Sequence, residues 1–304
     1  MKTIDVFDKQ FPDETACKNF LMDMRWPDGV RCPRCKSAER IYALKARPFH
    51  WACCNKDCGG RRGYRFSIIT HTIFENTKIP LKIWFKVAYL VLTSKKGISA
   101  LQVHRMIFGE ESTHAYHTSW YMVMRWRAAM KGDAFPLSGV VEIDETFHGG
   151  KERNKHRSKR KHIGTGGAGK VAVIGAIARK GMVVAQVVEN TDTATLDGFV
   201  RRVVDKDKVE LVATDEYRPY QMLARGDAPL PHETVNHGAG EYVRGIVHTQ
   251  NIESFWSLFK RGVMGSYHHV SKEYLPLYLN EFSWRFNNRK NSNAFADLIQ
   301  GVGK

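Results

Sequence analysis

The side chains best placed to do chemistry stand at the ends of apolar runs. Val140 to Gly150, VVEIDETFHGG, sets three carboxylates, Glu142, Asp144 and Glu145, in a stretch whose Val140, Val141 and Ile143 favour a strand, and Gly149 and Gly150 end it. An ionised carboxylate beside a sheet core needs a metal ion, a cation or a proton. Val209 to Tyr220, VELVATDEYRPY, repeats the arrangement and places Asp215 at the end of a second strand. His248 to Gly262, HTQNIESFWSLFKRG, has a helical period instead. At about 100° per residue, Ile252, Phe255, Trp256 and Phe259 form one stripe, while Ser257 and Lys260 fall beside Glu253. For any one acid, a strand-end salt bridge or a turn is the plainer reading. Two strand-borne aspartates with a helix-borne glutamate make an oxygen-only set suited to hard divalent ions such as Mg²⁺ or Mn²⁺, the kind of site that supports two-metal phosphoryl transfer.

A second group is built of thiols. Five of the six cysteines lie between Cys32 and Cys58, and none follows Cys58. That clustering points to a metal and away from a disulfide framework. Cys32-Pro-Arg-Cys35 is a knuckle of standard spacing, and Cys53, Cys54 and Cys58 supply the other side. Four thiolates around Zn²⁺ fold a segment too small for a core of its own. One of the adjacent pair Cys53 and Cys54 is surplus to a four-coordinate site. The alternation Trp51-Ala52-Cys53 favours the set Cys32, Cys35, Cys53 and Cys58.

Composition sets the class of partner. The chain has 304 residues, 43% of them apolar, and 47 Lys and Arg against 31 Asp and Glu leave a net charge of +16. Such an excess is matched to a polyanion, nucleic acid first, an anionic membrane surface being the lesser alternative because no basic amphipathic helix dominates. No run approaches the roughly 20 apolar residues of a membrane span, and the first residues, MKTIDVFDKQF, lack a signal-peptide core. The expected location is the cytoplasm.

The elements that must position these groups follow in order. Residues 1–75 are expected to hold an amphipathic helix, with Cys17 on its apolar side, and the zinc ribbon. Residues 76–135 read as short helices joined by short turns, as in a helix-turn-helix, with His104, Arg105, Arg125 and Arg127 on or beside exposed faces for phosphates or base edges. Residues 136–292 alternate: strand VVEID, a basic loop, strands VAVIGAIAR and MVVAQVVEN, a helix capped near Asp192, and strand VELVATD. Hairpin strands, a helix, then a strand beside the first is the order of an RNase H-like mixed sheet, and the fold class expected is α/β. Residues 293–304 read as a tail. The loop from Gly150 to Lys170 holds Lys151, Arg157, Lys159, Arg160 and Lys161, which can clamp a phosphodiester backbone beside Asp144, a solvated charge run being the ordinary alternative. Arg261 is a further backbone candidate. GTGGAG in the same loop is a weak phosphate-loop signal because it lacks the GK[ST] ending.

With these residues assembled, the sequence resembles the DDE transposases of bacterial insertion sequences, in the branch with an amino-terminal zinc ribbon often called ISXO-like. The likeness lies in EIDETFHGGK, TDEYRPY, HTQNIESFWSLFKRG and YHHVSKEYLPLYLNEFSWRFNNR, with CPRC and the later cysteines extending it to the amino-terminal end. The resemblance implies a metal-dependent strand transferase acting on the ends of its own element. The family's acids would fall on Asp144, Asp215 and Glu253, with Asp144 bridging two Mg²⁺ or Mn²⁺ ions and Lys260 holding a phosphate. Relatives vary the third acid, which leaves Asn251 as an alternative. Asn251 lies about 200° from Glu253 on the wheel, towards the apolar side, where it would more naturally cap the helix. Aromatics of the last motif, Tyr274, Tyr278, Phe282, Trp284 and Phe286, are mostly expected in the core. The partners implied are element-end and target DNA, with a homodimer or higher oligomer forming on DNA in the bacterial nucleoid. Three other readings compete: a zinc-ribbon regulator, an RNase H-fold nuclease without strand transfer, and an immobile transposase descendant kept for binding.

Overall fold

The computed structural model describes residues 3–56, 58, 63–132, 136–150, 156–160, 169–225 and 228–303, leaving aside the side chains of Lys159 and His237. The chain forms two compact units, one of Met1–Met130 with Lys290–Lys304 and one of Lys131–Arg289. Among the described residues no helix is long and apolar enough to cross a membrane.

In the first unit, α1 (Ile4–Gln10) leads into α2 (Glu14–Arg25), whose N-cap Asp13 accepts from the Ala16 amide at 2.8 Å. Cys17 is buried on the apolar side of α2 as its spacing requires. The strands β1 (Ile41–Ala43), β2 (His50–Cys53) and β3 (Tyr64–Ser67) form a small antiparallel sheet in that order. Too short to carry a core, this sheet is supported by aromatic packing, Trp51 stacking on Phe66 with ring centroids 5.8 Å apart.

Three helices follow: α3 (Leu81–Thr93), α4 (Ala100–Ile107, its N-cap Ser99 accepting from the Gln102 amide at 3.1 Å) and α5 (Tyr116–Ala129). Their packing corrects two expectations of exposed cations. Arg127 is buried at 2% exposure, and Arg125 is half-buried with Nε donating to the Ile73 carbonyl at 2.9 Å. His104 is likewise engaged, its Nδ1 lying 3.2 Å from the Ser119 hydroxyl. Residues 293–304 hold a helix, Ala294–Gln300, whose Leu298 and Ile299 are buried and whose Phe295 packs on Phe7, Phe11, Phe20 and Phe85. A free tail would have left that apolar face in water.

The second unit is a mixed sheet. β4 (Leu137–His148), β5 (Val171–Ala178) and β6 (Val183–Val188) make an antiparallel meander; α6 (Thr193–Val203) then carries the chain back to β7 (Val204–Asp215), parallel to β4, and β8 (His232–Val235) lies parallel to β7. The strand order is β6-β5-β4-β7-β8, with β4 at the centre and β7 beside it. Asp192 caps α6 by accepting from the Thr195 amide at 2.8 Å. Alternation along the strands divides the two faces. Val141, Ile143, Ile174 and Val212 face α6 and pack with Leu196, Phe199, Val200 and Tyr220. Leu211 and Ala213 face the other way and pack with Val235 and Val247. That second face is covered by α7 (Gln250–Gly262) and α8 (Leu275–Asn287), and the latter is tied to β6 by paired bonds between the Asn287 amide and the Val183 backbone at 2.7 and 2.9 Å. On α8, Tyr278 and Phe282 are core while Trp284 and Phe286 are half-buried. Tyr274 departs from the expectation: it is the N-cap and is 42% exposed.

Candidate active site

Asp144 and Asp215 are brought level by the parallel pairing of β4 with β7. The last registered pair is Glu142 with Ala213, and each aspartate lies two residues further along its strand. Neighbouring strands run about 4.8 Å apart, and a two-residue step returns a side chain to the same face. Both aspartates therefore lie on the face covered by α7, Asp215 as the last residue of β7 and Asp144 four residues before the end of β4. Asp144 and Asp215 are half-buried. The Asp144 carboxyl is pushed up from 3.8 to about 8, first by burial and then by the charges of Glu145, Asp215 and Glu253. The Tyr217 amide donates to Asp215 Oδ1 at 3.0 Å, which turns the chain just after the strand.

Glu253 is presented by α7 as its period requires. Ile252, Phe255, Trp256 and Phe259 are buried, whereas Glu253, Ser257 and Lys260 are exposed. The Thr249 hydroxyl donates to Glu253 Oε1 at 2.6 Å and directs the carboxylate. The close seat of α7 on the sheet depends on Gly175, the residue paired with Asp144 on β5. A Cβ at Gly175 would lie 2.6 Å from Cζ2 of Trp256 and 3.1 Å from Cδ1 of Ile252.

The three neighbouring acids of β4 do not act as one cluster. Glu142 is completely buried and accepts from Arg179 Nε (2.7 Å), Asn251 Nδ2 (2.7 Å) and the amides of Asn251 (2.8 Å) and Ile252 (3.2 Å). His248 Nδ1 lies 3.2 Å from the same carboxylate, in ion-pair range when the imidazole is protonated. Glu145 points to the opposite face and takes the Tyr220 hydroxyl on Oε2 at 2.7 Å. Burial, opposed by that bond, raises the Glu145 carboxyl, and burial beside Glu145 pushes the Tyr220 hydroxyl well above its usual range.

Asn251 also departs from its expected place. The N-cap of α7 is Thr249, and the Asn251 side chain is spent on Glu142. The signals for these roles were present but distributed: a lone glycine inside VAVIGAIA marks a close approach, whereas the Arg179 and His248 partners of Glu142 are distant in sequence.

The cysteines converge as their spacing predicts. Sγ atoms of Cys32 and Cys58 are 3.3 Å apart, those of Cys35 and Cys53 are 3.7 Å apart, and all four lie within 4.8 Å of one another. Tetrahedral ligation at about 2.3 Å per Zn–S bond requires sulfurs about 3.8 Å apart, so this set fits zinc. Cys54 is exposed and outside the group, which selects Cys53. Backbone donation near Ser37 lowers the Cys35 thiol to about 7, while burial raises Cys53 and Cys58. A bound cation would stabilise all four as thiolates. Among the described residues this is the one group of three or more such ligand atoms gathered so tightly.

Of the candidate phosphate contacts, Arg157, Arg160, Lys260 and Arg261 are exposed, and Arg105 is exposed in an ion pair with Glu110 at 3.2 Å. Arg261 Nε also donates to the Ser257 carbonyl at 3.2 Å. Arg157–Lys159 form a short 3-10 turn. Lys151 and Lys161 lie outside the described residues, as does most of GTGGAG.

A mixed α/β unit with an aspartate on each of two adjacent parallel strands, in a chain that also gathers four cysteines, agrees with a transposase that carries a zinc ribbon. Residues 136–287 match the ISXO2-like transposase domain and residues 12–61 the transposase zinc-ribbon domain. The chain belongs to the ISXO2-like transposase family. It is 32% identical over 286 residues to an uncharacterized protein in transposable element ISH50 of Halobacterium salinarum, covering 91% of this chain and 92% of that one. An uncharacterized transposase-like protein of Haemophilus influenzae is 32% identical over 116 residues, 38% of this chain and 89% of that one. Among solved structures, a simian T-cell lymphotropic virus intasome in complex with PP2A regulatory subunit B56 gamma matches 64% of each chain at 10% identity, with a TM-score of 0.29, too low to argue from.

Proposed function

We propose that this transposase cuts DNA at the ends of its own insertion sequence and joins the freed 3′-hydroxyl to target DNA, using Lys131–Arg289 as an RNase H-like catalytic domain. The carrying observation is the parallel register that sets Asp144 and Asp215 level on the face covered by α7, where burial and the charges of Glu145, Asp215 and Glu253 raise the Asp144 carboxyl to about 8. Acids held together against burial and mutual repulsion form a site that a hard cation relieves. The donor set is all oxygen and suits Mg²⁺ or Mn²⁺, which Asp144, Asp215 and Glu253 would hold. Two bound ions would supply an activated water or 3′-hydroxyl and neutralise charge on the scissile phosphate.

The chain's own residues do the rest. Thr249 orients Glu253 through the 2.6 Å bond to Oε1. Lys260, on the same exposed side of α7 two turns on, offers a point charge to a phosphate oxygen near the cut. Lys151, Arg157, Lys159, Arg160, Lys161 and Arg261 clamp the DNA backbone, and the zinc ribbon with the helices around Arg105 brings the element ends. Assembly on DNA would be a homodimer or higher oligomer in the bacterial nucleoid.

Purified protein incubated with a duplex carrying the element end, a supercoiled target and Mg²⁺ should nick the end to a 3′-hydroxyl and produce joined species. Nicking without joining would favour the nuclease reading. Specific binding without either would favour an immobile descendant.

A further inference from the structure

We propose that Glu142 is a positioning residue: it fixes the first turn of α7 to β4 and thereby sets where the third acid stands relative to Asp144. The inference rests on the catalytic reading of Asp144, Asp215 and Glu253. Glu142 lies two residues before Asp144 on the same strand and the same face, yet it is completely buried. A buried carboxylate is tolerated where its lone pairs are filled, and here both oxygens are filled. Oε1 takes Arg179 Nε and Asn251 Nδ2; Oε2 takes the amides of Asn251 and Ile252. Neither oxygen is left to serve as a further ligand.

The donors come from two places: Arg179, the residue just after β5, and Asn251 and Ile252 in the first turn of α7. Arg179 closes the arrangement by also donating from Nη2 to the His248 carbonyl at 3.2 Å. One carboxylate thus accepts from amide groups that a helix start leaves unpaired, with the favourable polarity of that end. The anchored Ile252 amide is one residue before Glu253, and a helix advances only about 1.5 Å per residue. Little slack separates the anchor from the ligand. Glu142 and Glu253 are thereby expected to behave as one unit towards metal, with Asp215 separate.

Mn²⁺ titration of the full-length protein tests this, by calorimetry or electron paramagnetic resonance. Partners that orient a metal ligand typically contribute about 10–100-fold in affinity. Glu142→Gln should weaken the Glu253-dependent Mn²⁺ binding about 10-fold with the chain still folded, and adding it to Glu253→Gln should cost nothing further. Adding it to Asp215→Asn should still cost the full factor. If Glu142→Gln does not fold, Asn251→Ala, which removes a single donor, runs the same cycle with a smaller loss that again vanishes on Glu253→Gln. Losses that multiply in the double variant would overturn the positioning role while leaving the catalytic reading intact. Wild-type Mn²⁺ affinity in Glu253→Gln alone would remove the catalytic reading of Glu253, and the positioning role with it.

Discussion

Gly175 is paired with Asp144 across β5 and β4, and the Trp256 ring of α7 packs against it. The absence of a side chain at Gly175 is what lets the helix bearing Glu253 come down beside the strand bearing Asp144. Gly175→Ala would place a methyl 2.6 Å from the Trp256 ring, and overpacking of this kind costs about 1–3 kcal/mol. Denaturant unfolding should show that loss, and Trp256→Phe should recover part of it in the double variant. Unchanged stability in Gly175→Ala would mean that α7 is not seated as described.

The acids give the metal-free protein a definite pH response. Asp144 has a folded-state value of about 8 against an ordinary 3.8, so the folded state holds a proton that the unfolded state releases. Its contribution is fully present below about pH 4 and is lost as pH rises through about 8. In Mg²⁺-free buffer without chelator, which leaves zinc in place, Asp144→Asn should raise Tm at pH 8 by at least about 2 °C and change it little at pH 4. Saturating Mg²⁺ should stabilise the wild type and not the variant. A variant no more stable than wild type at pH 8 would contradict the crowding.

The third acid can be separated from its neighbour. Asn251→Ala loses the Nδ2 bond to Glu142 and keeps the backbone one, which should cost about 1 kcal/mol and leave measurable cleavage. Glu253→Gln should fold normally and eliminate cleavage. The reverse pattern would move the ligand to Asn251.

Zinc should be present at about one ion per chain and be lost with local structure in Cys32→Ser or Cys35→Ser, because the ribbon has little core of its own. Cys54→Ser should retain it, since that thiol stands outside the group. Elemental analysis checks both, and native protein free of zinc would end the idea.

Much of this site is legible in the sequence because its rules are local. Acids at the ends of β-branched runs place Asp144 and Asp215, and the 3.6-residue period puts Glu253 and Lys260 on the exposed side of α7. Two-residue knuckle spacing and strand alternation choose Cys53 over Cys54. What is not legible depends on depth. Glu142 and Asp144 share a face, and only the docking of α7 separates a buried anchor from a ligand. Arg127 reads as a surface cation until Trp84 and Trp126 are seen packed around Phe74, with Arg127 buried on the same helix as Trp126.

The most direct measurement of the central claim compares end binding with end cleavage in Asp144→Asn and Asp215→Asn. The amide keeps the shape of the side chain and removes the anionic ligand. Each variant should bind element-end DNA within about 2-fold of wild type, a difference under 0.5 kcal/mol, and show no Mg²⁺-dependent nicking. Cleavage persisting in either variant would contradict the assignment of the two aspartates to the metal site.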